Sequence, residues 1–257
     1  GFTDHFDITE EEFKSIAEKS FLKEAEETPK ELYSSNSLSA PFPAPIDHRS
    51  SGCLNEVTIH NDISFGSHLA LVASTEFITC KRSGAKVTLS SQQLLDCESS
   101  SGTMITDNHK YYLYKTGLYN ILDYPNTGPR SACKVFTGKS VVRVNSYVHN
   151  TYFWSGMQFD IVSIYNALKE GPIIVSINFY DVLYNYKGGI VSPLKSTNVC
   201  SFYTTVLVVG YGIENNVEFW VIRGMFGPTW GEQGYLRLKR DDSKLNWGIN
   251  CGYIRVN

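Results

Sequence analysis

The strongest strand signal in the chain is Thr205-Val206-Leu207-Val208-Val209-Gly210-Tyr211-Gly212. β-Branched and aromatic residues punctuated by glycine are typical of β-strands. Runs of the same kind lie at Ile173–Ile177, Val217–Ile222 and Tyr235–Lys239. The second half of the chain is therefore predicted to be rich in β-structure.

The first half of the chain favours helices. Leu69, Val72, Ala73 and Phe77 recur at the spacing of one buried helical face. The predicted helices are Gly66–Cys80, Ser90–Leu95, Tyr111–Thr116 and Val162–Lys169. Helices followed mainly by strands imply an α+β fold, here with two lobes.

Composition excludes several classes of protein. The chain has 257 residues, of which 42% are hydrophobic and 19% charged, as in an ordinary folded protein. A net charge of −3 without a long basic run argues against a nucleic-acid partner. The longest apolar stretch, around Val206–Val209, is too short to span a membrane.

Six cysteines allow two interpretations. An even count permits three disulfides, which would place the protein in an oxidising compartment. The alternative is six buried free thiols.

The N-terminal segment differs from the rest of the chain. Thr9 followed by acidic residues indicates a helix start, because acids favour the first turn. Pro41, Pro43 and Pro45 then mark a linker. We therefore divide the chain into residues 1–44 and residues 45–257.

Several motifs in order resemble the papain family of cysteine proteases. They are Pro45-x-Asp47-x-Arg49, Leu89–Cys97, Tyr186–Ile190, Val208–Gly212 and Trp230–Tyr235. The resemblance implies a papain-like fold with a helical left lobe and a β-barrel-like right lobe. It also implies that residues 1–44 are the C-terminal part of a propeptide-like segment and residues 45–257 the protease-homologue domain.

The resemblance assigns four site positions to unusual residues. Gly66-Ser67-His68-Leu69-Ala70 is similar to the family's Gly-Ser-Cys-Trp-Ala, so His68 stands where the nucleophilic cysteine is expected. Thr204 takes the position of the general base and Gly224 that of the asparagine which orients it. Asp62 takes the position of the oxyanion-hole glutamine, where a carboxylate would repel the developing charge.

These four substitutions predict a protein that is not an enzyme. We expect an inactive homologue, similar to the inactivated protease paralogues of mites, that acts by binding a protein or peptide partner as a decoy, inhibitor or immune-modulating ligand. The alternatives are a structural or storage protein, or a residual peptidase of altered mechanism. The sequence names neither the partner nor the oligomeric state.

The resemblance also implies how the cysteines pair in disulfides. It implies the pairs Cys97–Cys133 and Cys200–Cys251, as in the family. Cys53 and Cys80 remain as a third pair, or as two free thiols. Three disulfides would place the protein outside the cell or in the lumen of the secretory or digestive pathway.

No cofactor and no metal are expected from the sequence. A metal site could be built from His60, Asp62 and His68, but their spacing fits no standard ligand pattern. His48 and His109 are interpreted as surface or packing residues.

Overall fold

A computed structural model describes residues 44–59, 66–98, 107–144, 147–150, 161–179, 183, 185–192, 202–240 and 253–256. Its helices are α1 (Gly66–Ser83), α2 (Ser91–Cys97), α3 (Asp107–Lys115) and α4 (Ile161–Glu170). Its strands are β1 (Ile46–Asp47), β2 (Tyr147–Asn150), β3 (Ile173–Phe179), β4 (Ile190–Val191), β5 (Phe202–Glu214), β6 (Val217–Arg223), β7 (Tyr235–Lys239) and β8 (Tyr253–Val256).

The longest strand, β5, organises the main sheet. One edge of β5 pairs antiparallel with β6, and β7 and β4 follow outward. The other edge pairs with β3 and then, near the end of β5, with β1. Gly210 lies opposite Asp47 in that second pairing, and a Cβ at Gly210 would lie 2.2 Å from the carbonyl oxygen of Ile46. Glycine therefore allows the close approach of β1 to β5.

Alternate residues of β5 enter two different cores, which explains its unbroken apolar sequence. Leu207 and Val209 pack into the cluster that includes Leu71 of α1. Val206 and Val208 pack on the opposite side of the sheet, in the cluster that includes Leu168 of α4. A strand covered on both faces needs apolar side chains in both directions, and this arrangement separates the two lobes.

Local sequence signals account for the start of α2 and for its position. Ser90 caps α2, because its hydroxyl accepts a hydrogen bond of 3.0 Å from the backbone N–H of Gln93. The side chain of Gln93 in turn accepts a hydrogen bond of 2.7 Å from the backbone N–H of Tyr119. The cap and this long-range contact fix where α2 begins and how it packs.

The α+β architecture predicted from the sequence is confirmed, with two corrections. The sheet is open within the described residues, so the expected β-barrel-like lobe is wrong in that detail. Among the described strands, one edge of the sheet is the two-residue strand β4, which pairs with β7. The other edge is formed by β1 and β3. Helix α3 also begins at Asp107, four residues before the predicted start at Tyr111.

Two of the expected disulfides are present. Cys53 pairs with Cys80, and Cys97 pairs with Cys133. Cys200 and Cys251 lie outside the described residues, as does the predicted propeptide-like segment up to residue 43. Within the described ranges, every helix is too short or too polar to cross a membrane.

Candidate active site

His68 lies in the first turn of α1, the helix that packs against β5. The helix begins at Gly66, and the His68 side chain is 4% exposed. Its ring centroid lies 5.0 Å from that of His109 in α3, with the two ring planes at 61°. A histidine that the sequence places in the site therefore meets a second histidine from a distant segment.

Thr204 and Gly224 lie on or beside neighbouring strands of the sheet. Thr204 belongs to β5, where it pairs with Ile177 of β3. Gly224 follows the end of β6, and its N–H donates a hydrogen bond of 2.9 Å to the carbonyl of Gly234. A Cβ at Gly224 would lie 2.7 Å from the Trp230 ring, so a larger residue there would require the indole to move.

Contacts from Arg223 hold the segment that leads toward Asp62. The guanidinium of Arg223 donates to the carbonyls of Asn55 and Glu56 at 2.6 and 2.8 Å. Ile59 then forms an isolated bridge with Phe226, just after Gly224. Asp62 itself lies outside the described residues.

His68, Glu98 and His109 form a buried cluster. Nε2 of His109 lies 3.3 Å from Oε2 of Glu98, and one nitrogen or carboxylate oxygen of each of the three residues lies within 4.8 Å of the other two. Glu98 is 3% exposed and His109 is fully buried. Burial lowers the pKa of His109, although the charge of Glu98 opposes that change.

Of the three residues in the cluster, the sequence motifs point to His68 alone. His109 belongs to no recognised motif, and the sequence favours a surface or packing role for it. Glu98 follows the last residue of α2 and carries no motif of its own. The acidic Asp107 was an available signal for an earlier helix start, because acids are favoured in a helix's first turn.

Comparison with known proteins identifies the family of this chain. Residues 42–254 match the papain family cysteine protease domain, so the chain belongs to that family. It is 33% identical to a cathepsin L-like proteinase of Phaedon cochleariae over 242 residues, which cover 91% of this chain and 71% of that protein. It is 26% identical to the germination-specific cysteine protease 1 of Arabidopsis thaliana over 264 residues, covering 98% of this chain and 68% of that one.

Solved structures confirm the papain-like fold. The bromelain protease from Ananas comosus, in complex with the E64 inhibitor, superposes with a TM-score of 0.70 at 24% identity, covering 82% of this chain and 98% of that chain. A digestive procathepsin L 3 of Tenebrio molitor larval midgut gives a TM-score of 0.69 at 24% identity, covering 96% and 79%.

These comparisons overturn the expectation that the chain is not an enzyme. The relatives are named proteinases and proteases, and nothing in the comparisons favours a decoy, an inhibitor or an immune-modulating ligand. The error has a physical reason, since substitutions within aligned motifs argue against one mechanism and leave other chemistry open. The assignment of Asp62, His68, Thr204 and Gly224 to the four site positions stays a prediction.

Proposed function

We propose that the protein is a peptidase that hydrolyses peptide bonds. The observation that carries this proposal is the family match over residues 42–254, which includes both cores and all strands of the main sheet. The 33% identity to a cathepsin L-like proteinase supports the same activity. The partner expected from the sequence is then a peptide or protein substrate.

The chemistry of this peptidase differs from that of its relatives, because position 68 carries an imidazole and no thiol. A histidine at that position does not form the thioester of a cysteine protease. Water is then the nucleophile, and it needs activation by a polar group held close to the substrate. We assign that role to the cluster of His68, Glu98 and His109, whose imidazole and carboxylate groups are of the types that act in proton transfer.

The N-terminal segment and the disulfides support a place in the secretory or digestive pathway. Disulfides persist in oxidising compartments, and Cys53–Cys80 and Cys97–Cys133 both bridge the helical lobe. The family match begins at residue 42, close to the predicted boundary after residue 44, which supports a propeptide-like segment before the domain. A closer kinship with mite paralogues stays a prediction.

The test is hydrolysis of a fluorogenic peptide library between about pH 4 and 8, the range in which carboxyl and imidazole groups titrate. The full chain is assayed beside a papain-type enzyme, with and without a thiol-alkylating reagent. We expect turnover that alkylation leaves intact, whereas the papain-type enzyme loses its activity.

Two histidine variants locate the activity. We expect His68→Ala to lower kcat/KM by at least about 100-fold, the low end for loss of a proton-transferring group. His48→Gln is the matched control, since its imidazole hydrogen-bonds the Leu168 carbonyl at 2.7 Å and packs on Phe77, away from the cluster. Absence of turnover by the unmodified chain at every pH would overturn the proposed function, and equal turnover in His68→Ala would overturn the assigned site.

A further inference from the structure

Three different segments contribute one metal-binding side chain each to the buried cluster. His68 comes from the first turn of α1, Glu98 from the residue after α2, and His109 from the first turn of α3. The three potential ligand atoms all lie within 4.8 Å of one another. Two imidazoles and one carboxylate make up a ligand set that proteins use for first-row transition metals.

We propose that His68, Glu98 and His109 bind a divalent transition-metal ion, with zinc as the best fit. Zinc accepts nitrogen and carboxylate-oxygen ligands at about 2.0–2.2 Å in a tetrahedral arrangement. Calcium and magnesium prefer ligand sets made of oxygen, which two histidines do not provide. The three side chains leave the fourth position of a tetrahedron for a water molecule or a substrate atom.

The distances require only small movements of side chains. Ligand atoms of a tetrahedral zinc ion lie about 3.4 Å apart, given metal–ligand bonds of about 2.1 Å. His109 Nε2 and Glu98 Oε2 already lie 3.3 Å apart. The widest separation is at most 4.8 Å, which exceeds the spacing around zinc by about 1.4 Å.

The backbone around Glu98 is well anchored for this purpose. Glu98 follows Cys97, whose disulfide to Cys133 ties the end of α2 to a distant loop. Arg130 donates a hydrogen bond to the Glu98 carbonyl, and the Glu98 N–H donates to the Leu94 carbonyl at 3.0 Å. With its backbone held in this way, residue 98 loses little further backbone freedom when its side chain binds a metal.

Burial strengthens the argument for a cation. All three side chains are at most 4% exposed. An ionised carboxylate is costly to bury unless a positive charge or hydrogen bonds compensate it. A divalent ion held by Glu98 and the two imidazoles would add a positive charge beside this buried carboxyl group.

The proposed metal site uses the same three residues as the proposed peptidase site. Metal binding can be measured without substrate, so the two proposals are tested separately. The full chain is freed of metal with a chelator, dialysed, and titrated with Co²⁺ in the absence of thiol reductants. We expect one Co²⁺ per chain with intense visible absorption bands of a four-coordinate site, and we expect Zn²⁺ to displace it. A chain that binds zinc and cleaves no peptide would refute the proposed function and leave this inference intact.

Variants identify the ligands. We expect His109→Ala to weaken Zn²⁺ binding by at least about 100-fold, more than the 10–100-fold cost of removing a group outside the ligand set. Glu98→Gln is nearly isosteric and keeps the fold testable if the alanine variant unfolds, and it should also weaken binding. His48→Gln, which removes a half-buried imidazole elsewhere, should bind as the unmodified chain does.

Two results would overturn the inference. One is a Co²⁺ titration of the unmodified chain that shows only the weak spectrum of hexa-aqua cobalt. The other is unchanged Zn²⁺ affinity in both His109→Ala and Glu98→Gln, which would place any bound metal at another site.

Discussion

Replacement of Glu76 by glutamine should change the way in which stability depends on pH. Glu76 lies in α1 with 5% of its side chain exposed, and it accepts a hydrogen bond of 2.8 Å from the Leu89 N–H. Burial raises the pKa of this carboxyl from 4.5 to about 7, although the Leu89 hydrogen bond and the charge of Arg223 oppose the rise. Because the folded chain binds the proton more tightly than the unfolded chain, wild-type stability falls as pH rises from about 4.5 through 7.

The expected magnitude follows from that change in pKa. A rise from 4.5 to about 7 corresponds to roughly 3 kcal/mol of unfolding free energy lost between the two limits. A glutamine side chain does not titrate but keeps a carbonyl oxygen for the Leu89 N–H. Between pH 4.5 and pH 8 the free energy of unfolding of the variant should therefore rise by roughly 3 kcal/mol relative to that of the wild type. If this free energy falls by about 3 kcal/mol per M urea, the midpoint of unfolding shifts by about 1 M.

Urea unfolding followed by circular dichroism at pH 5, 6, 7 and 8 measures this difference. Glu56→Gln is the control, because the Glu56 side chain is exposed, and its curve should run parallel to that of the wild type. Parallel curves for Glu76→Gln and the wild type across the whole range would refute the reasoning. A relative loss of stability in Glu76→Gln at high pH would refute it as well.

Three further variants test other parts of the fold by the same urea assay. Gly210→Ala should destabilise the protein by about 1–3 kcal/mol, because the new Cβ would lie 2.2 Å from the Ile46 carbonyl oxygen; an unchanged midpoint would contradict that contact. Joint replacement of Cys97 and Cys133 by alanine should lower the free energy of unfolding by about 3–4 kcal/mol, because the disulfide closes a loop between residues separated by 36 positions. A loss below about 1 kcal/mol would contradict this loop-entropy reasoning. Asp96→Asn should cost about 1–3 kcal/mol at pH 7. Burial alone would raise the pKa of Asp96, but its hydrogen bonds outweigh burial and lower the pKa below 3.8. The cost of the substitution should therefore shrink as the pH falls below that value. A constant cost down to about pH 2 would contradict the lowered pKa.

Local patterns in the sequence were sufficient for most helices and strands. The apolar run of β5 lies within the strand that the structure shows, and α2 begins one residue after the predicted start at Ser90, because both signals act over a few residues. The openness of the sheet was not predictable in this way. It depends on how β3 and β1 share one edge of β5, which is a long-range pairing.

The candidate site was only partly predictable for the same reason. His68 was found because it lies inside a short motif. Glu98 and His109 reach it only through tertiary packing of α2 and α3, which no spacing in the sequence records. His109 carries no motif, and it lies in the first turn of α3, ahead of the predicted start of that helix at Tyr111.

The pairing of β1 with β5 has a consequence for biosynthesis. Strand β1, the first of the described strands to leave the ribosome, finds its partner at Gly210 and Tyr211 of β5, far along the chain. At about 5–20 residues per second, β1 and the apolar face of α1 wait on the order of 10 s for that partner. Any nascent fragment that stops before residue 202 lacks the strand on which both cores are built, so both cores close only after β5 has been synthesised.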